Sequence, residues 1–373
     1  MFPFIRIAGT PQERGLSYGR QATAYIELAI QTYQKSFAER GFAWSEVVRI
    51  GRDFACSIRD FDPSMLEELE AIAEGAGRDL GEIVALNART ELLYGVGGRN
   101  AGDATELSGE GCTGAIALGT ATASGHTLHG QNWDWKEESA DFTLVLEIQP
   151  AEGPRILTLV EAGTLARCGL NEKGLAVTGN FLKTVEDTGR MGIPAPFIRR
   201  KVLMATNLHD AMQAVITSKR SFSINVMISD GAGEAINFET TPERVFWLRP
   251  ENDLLVHSNH FLSLAAQVAY DDKALHVTPD SLYRDHRVRS ALLSRHGSIQ
   301  ALDLKSAFAD QYGAPYAVCR SPTDGPGGDG SATLATVVMD VTAGTMSVAK
   351  NPYGEHSYQE FSFTAVDADR NVA

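Results

Sequence analysis

A single change of pattern near residue 112 limits what this chain can become. Over residues 13–94 the apolar side chains recur at helical spacing, and beyond residue 112 they come in short β runs divided by turn residues. Between them lies GVGGRNAGDATELSGEG, residues 95–111, rich in glycine and poor in large apolar side chains. Such a stretch buries too little surface to order itself and reads as an exposed linker. Helices gathered at one end and strands at the other are compatible with an α+β chain. The 373 residues, 43% of them hydrophobic, can build a sizeable core. We read them as one structural domain, with a helical N-terminal segment over 1–111 and a sheet-forming part over 112–373.

The helical part begins with an uninterrupted run over residues 13–40. A second helix has clear punctuation: Asp62 caps it, Pro63 fits its first turn, Ser64 with Glu67 resembles a capping box, and Gly75 stands where a left-handed end residue belongs. Met65, Leu66, Leu69 and Ile72 form its buried stripe. Strands are predicted over 113–118, 143–149, 155–161, 174–181 and 224–229, and a second block over 234–239, 244–248, 254–257, 333–341 and 345–350. Helices over 196–218 and 281–295 separate them, and no internal repeat is found.

A formal charge of -14 and a pI near 5.1 disfavour nucleic acid or an anionic membrane as partner, since both carry the same sign. The opening MFPFIRIAGT has no long apolar core after a basic start, and no stretch approaches a membrane span, so a cytoplasmic protein is expected. The four cysteines, Cys56, Cys112, Cys168 and Cys319, form no CxxC pair and no metal-ligand spacing, and disulfides are not expected.

Cys112 sits where the linker meets the first strand, in Glu110-Gly111-Cys112-Thr113, whereas packing cysteines normally lie inside elements. Gly111 leaves the preceding carbonyl sterically open. The thiol can attack that carbonyl, shift the acyl chain from nitrogen to sulfur, and let water cleave the thioester. The new chain would begin at Cys112, and its α-amino group, with a reference pKa of about 7.7 to 8.0, can serve as base to its own thiol. Placement alone leaves both a catalytic and a packing cysteine open.

The residues around it resemble a known family. Gly111-Cys112-Thr113, then GQNWDW from Gly130 to Trp135, Glu161-Ala162-Gly163, GLNEKGLAVTGNFL from Gly169 to Leu182, His257-Ser258-Asn259-His260 and Cys319-Arg320 are similar, in order, to peptidase family C45, the acyl-coenzyme A:6-aminopenicillanic acid acyltransferases. Gly9, Gly15 and Gly19 match near the start, and NEKGLAVTG also looks like the related choloylglycine hydrolases. The resemblance implies a four-layer αββα sandwich of the N-terminal-nucleophile type, cut between Gly111 and Cys112, with both pieces remaining associated.

It also implies roles for particular residues. Asp134 would hold the free α-amino group of Cys112 by a charge-assisted hydrogen bond. Asn259 would aim its amide N–H at the developing oxyanion, an interaction worth about 2.7–4 kcal/mol in comparable sites. Asn180 would be a second donor, with the register open by one residue. Arg320 would lower the thiol pKa or bind an acyl carboxylate, with a surface salt bridge as the alternative. Thr113 would lead the nucleophile into the sheet and offer a hydroxyl or backbone N–H, and Cys56 and Cys168 read as small core residues.

The expected reaction is hydrolysis of a small-molecule amide, an N-acyl amine or N-acyl amino acid, through a thioester at Cys112 and without a cofactor. The nearest rival is acyl transfer from a coenzyme A thioester to an amine through the same intermediate; no compact basic cluster suggests a site for the coenzyme's phosphates. A metal-dependent hydrolase built on His257 and His260 lacks further ligands at zinc spacing, and no metal is expected. A non-catalytic binding protein is a further alternative. DGPGGDG, residues 324–330, reads as a surface loop, and Tyr283-Arg284-Asp285-His286-Arg287 as a charged helix face. Substrate-binding residues and oligomeric state are left open.

Overall fold

The structure, a computed structural model, describes residues 1–95, 111–187, 191–322, 330–354 and 356–363. The 95–111 linker, save its end residues, and the 324–330 loop, save Gly330, therefore lie outside the described residues.

The chain opens with β1 (Phe4–Gly9) and continues through α1 (Pro11–Gln21), α2 (Thr23–Glu39), α3 (Trp44–Phe61), α4 (Pro63–Ala76), α5 (Leu80–Asn87) and α6 (Arg89–Tyr94). Then follow β2 (Gly111–Ala117), β3 (Leu128–Lys136), β4 (Thr143–Pro150), β5 (Ile156–Glu161), β6 (Cys168–Asn171) and β7 (Leu175–Phe181). Helices α7 (Ala195–Met204) and α8 (Leu208–Ile216) precede β8 (Ile224–Asp230), β9 (Ala235–Thr240), β10 (Val245–Leu248) and β11 (Leu254–His257). The last part holds α9 (Leu264–Ala269), α10 (Ser281–Leu293), α11 (Ala301–Phe308), β12 (Ser331–Asp340), β13 (Thr345–Lys350) and β14 (Tyr358–Ser362).

The strands form an eight-stranded sheet, β1-β4-β5-β6-β7-β8-β9-β10, and a six-stranded sheet, β11-β2-β3-β12-β13-β14. Strands β2 and β3 pack on β7, and β11 on β9, so the sheets lie face to face. Helices α1, α7 and α8 cover the outer face of the first sheet, and α10 and α11 that of the second. This is the four-layer αββα arrangement that the resemblance implied. No helix among the described residues is long and apolar enough to cross a membrane.

The sheet does not start at Cys112. Strand β1 pairs in parallel with β4, so the N-terminal segment supplies an edge strand as well as helices. Buried polar contacts fasten it further. Glu68 on α4 accepts from Arg14 at 2.6 Å and from Arg200 on α7 at 2.9 Å. Asn87 donates to the Gly163 carbonyl and accepts from Leu165 N, at 2.9 and 3.0 Å, and Arg89 donates to Glu161 at 2.9 Å. Apolar side chains of α1 to α6 share one continuous core with those of β4 to β8.

Punctuation of α4 differs from the sequence reading. Asp62 caps it, accepting from Ser64 N at 3.0 Å, but Ser64 and Glu67 form no capping box. The left-handed end residue is Gly77, with φ of 64°. Gly75 lies inside the helix, where a Cβ would fall 2.6 Å from the Leu16 carbonyl of α1, and Gly15 and Gly19 face α4 with equally little room. These glycines let two helix backbones touch. Gly19→Ala would normally stabilise a helix interior by about 1 kcal/mol. Here the new methyl meets the Ile72 carbonyl, so urea unfolding should show a loss of about 1–3 kcal/mol instead.

The predicted helix over 196–218 breaks after Met204, where Asn207 caps α8 by accepting from Asp210 N at 2.9 Å. Strands β1, β3, β6 and β14 and helix α11 were not predicted as elements. No disulfide joins any of the four cysteines, and Cys56 is exposed on α3 rather than in the core.

Candidate active site

In the β2–β3 ladder Gly111 stands opposite Asp134 and Cys112 opposite Trp133. The Cys112 thiol and Asp134 line a cleft with Arg167, Phe181, Glu91 and Arg199, between the N-terminal helices and the eight-stranded sheet. Cys112 is buried, and Arg167 Nη2 lies 3.6 Å from its Sγ.

Asp134 lies against Gly111, the residue before the bond that the sequence marks for cleavage. Its Oδ1 accepts from Thr333 Oγ1 at 2.6 Å, while Oδ2 is buried, has no hydrogen-bond partner among the described residues, and lies 2.7 Å from where a Gly111 Cβ would be. Any residue but glycine at 111 would collide with that carboxylate. Burial pushes the Asp134 pKa up, opposed by the positive charges of Arg320 and Arg284.

Asn259 meets Cys112 through its amide oxygen. Its Oδ1 accepts from Cys112 N at 2.8 Å and from Arg284 Nη2 at 2.9 Å, and its Nδ2 donates to the Phe181 carbonyl at 3.0 Å. Two donors on one atom and a carbonyl at the other fix the amide orientation. Asn259 Oδ1 therefore holds the nitrogen of Cys112, and one of the two Nδ2 hydrogens goes to the Phe181 carbonyl. Asn180 is not brought to the cleft. It faces the space between the sheets, where its Nδ2 donates to the His257 and Ser258 carbonyls at 2.8 and 2.9 Å. Its neighbours Gly179 and Phe181 line the cleft, as alternation along β7 requires.

Arg320 is 2% exposed and lies beside Asp134 and Gly111, not on the thiol and not on the surface. Its Nη2 donates to Asp280 Oδ2 at 2.9 Å, and Nε stands 4.0 Å from Asp134 Oδ2. Thr113 accepts from Arg284 Nη1 at 2.9 Å and so pins the start of β2.

Arg284 is the residue that the sequence reading missed. It was read as part of a charged helix face, but its side chain is fully buried. It donates to the Cys112 carbonyl at 2.8 Å, to Asn259 Oδ1 at 2.9 Å and to Asp280 Oδ2 at 2.7 Å. Asp280 then joins Arg284 to Arg320, making one connected frame from Asp134 to the Cys112 nitrogen. The only signal in the sequence was the i,i+4 pair of Asp280 and Arg284.

The HxxH pair is otherwise engaged. His257 Nε2 bonds Glu239 and His260 Nδ1 bonds Ser281, each at 2.8 Å, and among the described residues no three His, Cys, Asp or Glu side chains converge. Burial pushes the Cys168 thiol up to about 11 and the Cys319 thiol up to about 12, as expected of cysteines that pack rather than react.

Burial also pushes Glu91, whose Oε1 accepts from Ala195 N at 3.0 Å, up to about 7, against the pull of Arg199 and Arg89. The folded state then holds its proton more tightly than the unfolded state does. Stability from this group is complete below its ordinary value of 4.5 and is lost as pH rises through about 7. Glu91→Gln should flatten that part of the stability profile, read by urea unfolding at several pH values.

The site thus sets a cysteine at the head of a strand in a four-layer αββα fold, with a carboxylate against the glycine before it. Residues 121–351 match the family model of the acyl-coenzyme A:6-aminopenicillanic acid acyl-transferases, and the chain belongs to that family. It is similar to the acyl-coenzyme A:6-aminopenicillanic-acid-acyltransferase 40 kDa form of Emericella nidulans, with 27% identity over 338 residues, 90% of this chain and 89% of that one. It is 35% identical to the N-acylethanolamine-hydrolyzing acid amidase of Caenorhabditis elegans over 133 residues, 35% of this chain and 33% of that one. Among solved structures, a mutant of the conjugated bile acid hydrolase of Clostridium perfringens superposes with a TM-score of 0.47 at 17% identity, covering 67% of this chain and 92% of that one.

Proposed function

We propose that this protein is a self-processing amidohydrolase in which Cys112 first cleaves its own chain and then small-molecule amides. The observation that carries the reading is the placement of the Cys112 thiol in a cleft, with its nitrogen held by Asn259 Oδ1 and with Gly111 against the unpartnered Asp134 Oδ2.

In the uncut chain, Sγ attacks the Gly111 carbonyl carbon, the C–N bond breaks, and the nitrogen takes a proton. Asp134, whose burial favours its protonated form, lies against Gly111 and gives that proton, and is reprotonated by the proton that the thiol gives up. Water then hydrolyses the thioester, leaving a carboxylate on Gly111 and a free α-amino group on Cys112. In the mature enzyme that amine takes the thiol proton, and the thiolate attacks a substrate amide carbonyl. The leaving amine carries the proton away, and a second water releases the acid. Pieces 1–111 and 112–373 stay together because β1 remains paired with β4 and one apolar core spans both.

A second reading is supported by the acyltransferase similarity over 90% of the chain: an amine in place of water accepts the acyl group. Intact-mass measurement tests the shared intermediate. After incubation with an N-acyl amine and rapid acid quench, an acyl adduct should sit on the fragment that begins with Cys112. An uncut chain without adduct rejects the proposal. Adding a free amine to the same reaction separates the two acceptors, since transfer yields a new amide and hydrolysis only the acid.

A further inference from the structure

The cleft wall beside Cys112 carries two guanidinium groups, Arg199 and Arg167, that form no ion pair with a carboxylate among the described residues. Arg199 on α7 is only 7% exposed, yet its side chain has no hydrogen bond or ion pair among the described residues. It lies against the bare backbone of Gly179, where a Cβ would be 2.9 Å from both Nε and Nη2. Arg167 shares the cleft, stacked 3.7 Å over the Trp133 ring, also without an acidic partner among the described residues.

The other charged side chains along the wall are occupied. Arg220 spends its donors on the Thr241 and Val215 carbonyls, and Arg89 is paired with Glu161. Asp134 lies beside Arg320; Glu91 bonds Ala195 N through Oε1, while its Oε2 makes no hydrogen bond among the described residues and, when ionised, the group attracts Arg199. A buried guanidinium without a counter-charge costs several kcal/mol, which a bound anion offsets. Burial and the like charge of Arg167 hold Arg199 down at about 10, against the weaker pull of Cys112, Cys168 and Glu91.

We infer that Arg199 and Arg167 form a carboxylate-binding subsite, and that the substrate amide bears a carboxylate on its amine half, close to the scissile bond. The position follows from reach. An attacking sulfur stands about 3–3.5 Å from the carbonyl carbon. A carboxylate on the carbon next to the amide nitrogen then comes within range of Arg167 Nη2, itself 3.6 Å from Sγ, and of the planar fork of Arg199. Phe181, Phe222, Ile193 and Ile224, which line the same cleft, are left for an apolar acyl chain. The substrates would be N-acyl amino acids with aliphatic acyl groups.

This rests on the amidohydrolase reading, and the test separates the two. N-hexanoylglycine and N-methylhexanamide share an acyl group and differ in the carboxylate. Their kcat/KM values and their calorimetric affinities are to be compared on the wild-type protein, Arg199→Met and Arg199→Lys. The wild type should prefer N-hexanoylglycine by at least about tenfold in both measures. Arg199→Met should bring the ratio to within about threefold, and Arg199→Lys, which keeps the charge and loses the fork, should fall between. Equal turnover of both amides by the wild type, or an unchanged preference in both variants, overturns the subsite and leaves amide hydrolysis standing. Selective binding of N-hexanoylglycine without turnover of either amide supports the subsite and overturns the hydrolytic reading. Equal affinity for both, or for neither, overturns the subsite.

Discussion

Purified wild-type protein should give two masses, for residues 1–111 and 112–373, and Cys112→Ala a single uncut chain of 40.3 kDa. Amide turnover by the variant should fall by more than about 10⁴-fold, because nucleophile and base are the same residue and both are lost together. The substitution removes one sulfur from a buried position and leaves the Asn259 and Arg284 contacts to the backbone in place, so the variant should fold. Two fragments from Cys112→Ala would mean that another group cuts the chain, and one chain from the wild type would reject self-processing.

The largest loss of stability is expected from Arg284→Met, measured by urea unfolding in a Cys112→Ala background so that both proteins are single chains. Arg284 is enclosed by Asp280, the Cys112 carbonyl, Thr113 Oγ1 and Asn259 Oδ1. Removing it leaves four buried acceptors short of a donor, and breaking a buried charge pair in this way costs about 3–5 kcal/mol. In the Cys112-containing protein the same change should slow the appearance of fragments. With Asn259 Oδ1 released from Arg284, the Cys112 nitrogen loses its fixed position beside Asp134. Normal stability for Arg284→Met would show that the frame is not a unit.

What the sequence reveals here is local, and what it hides is supplied by residues far away in the chain. The junction at Gly111-Cys112 is legible because a change of period and a glycine coincide there. Strand β3 is not, because LHGQNWDWK looks too polar for a central strand. Several of its polar side chains are buried and find partners at a distance: His129 in Ser229 and Thr178, the Gln131 amide nitrogen in Gly179, Asn132 in Phe308 and Val318. Asn259 meets Cys112 and Asn180 does not, and which amide atom of Asn259 faces Cys112 depends on neighbours that no local pattern contains. Arg284 and Arg199 sit in helices whose exposed and buried charges look alike until the sheets are in place. Strand β1 is short, and its pairing partner is more than a hundred residues downstream.

That pairing has a consequence for assembly. Since β1 is made first and β4 later, the first strand of the chain has no place to settle until the sequence through residue 150 exists. The peptide connection through residues 95–111 is therefore a tether for folding, raising the local concentration of one half near the other, and it becomes dispensable once they have met. Uncut protein should refold at a rate independent of its concentration. Separated halves of the mature protein should refold together as a second-order reaction, with β4 left as an open sheet edge, prone to aggregation, while it waits.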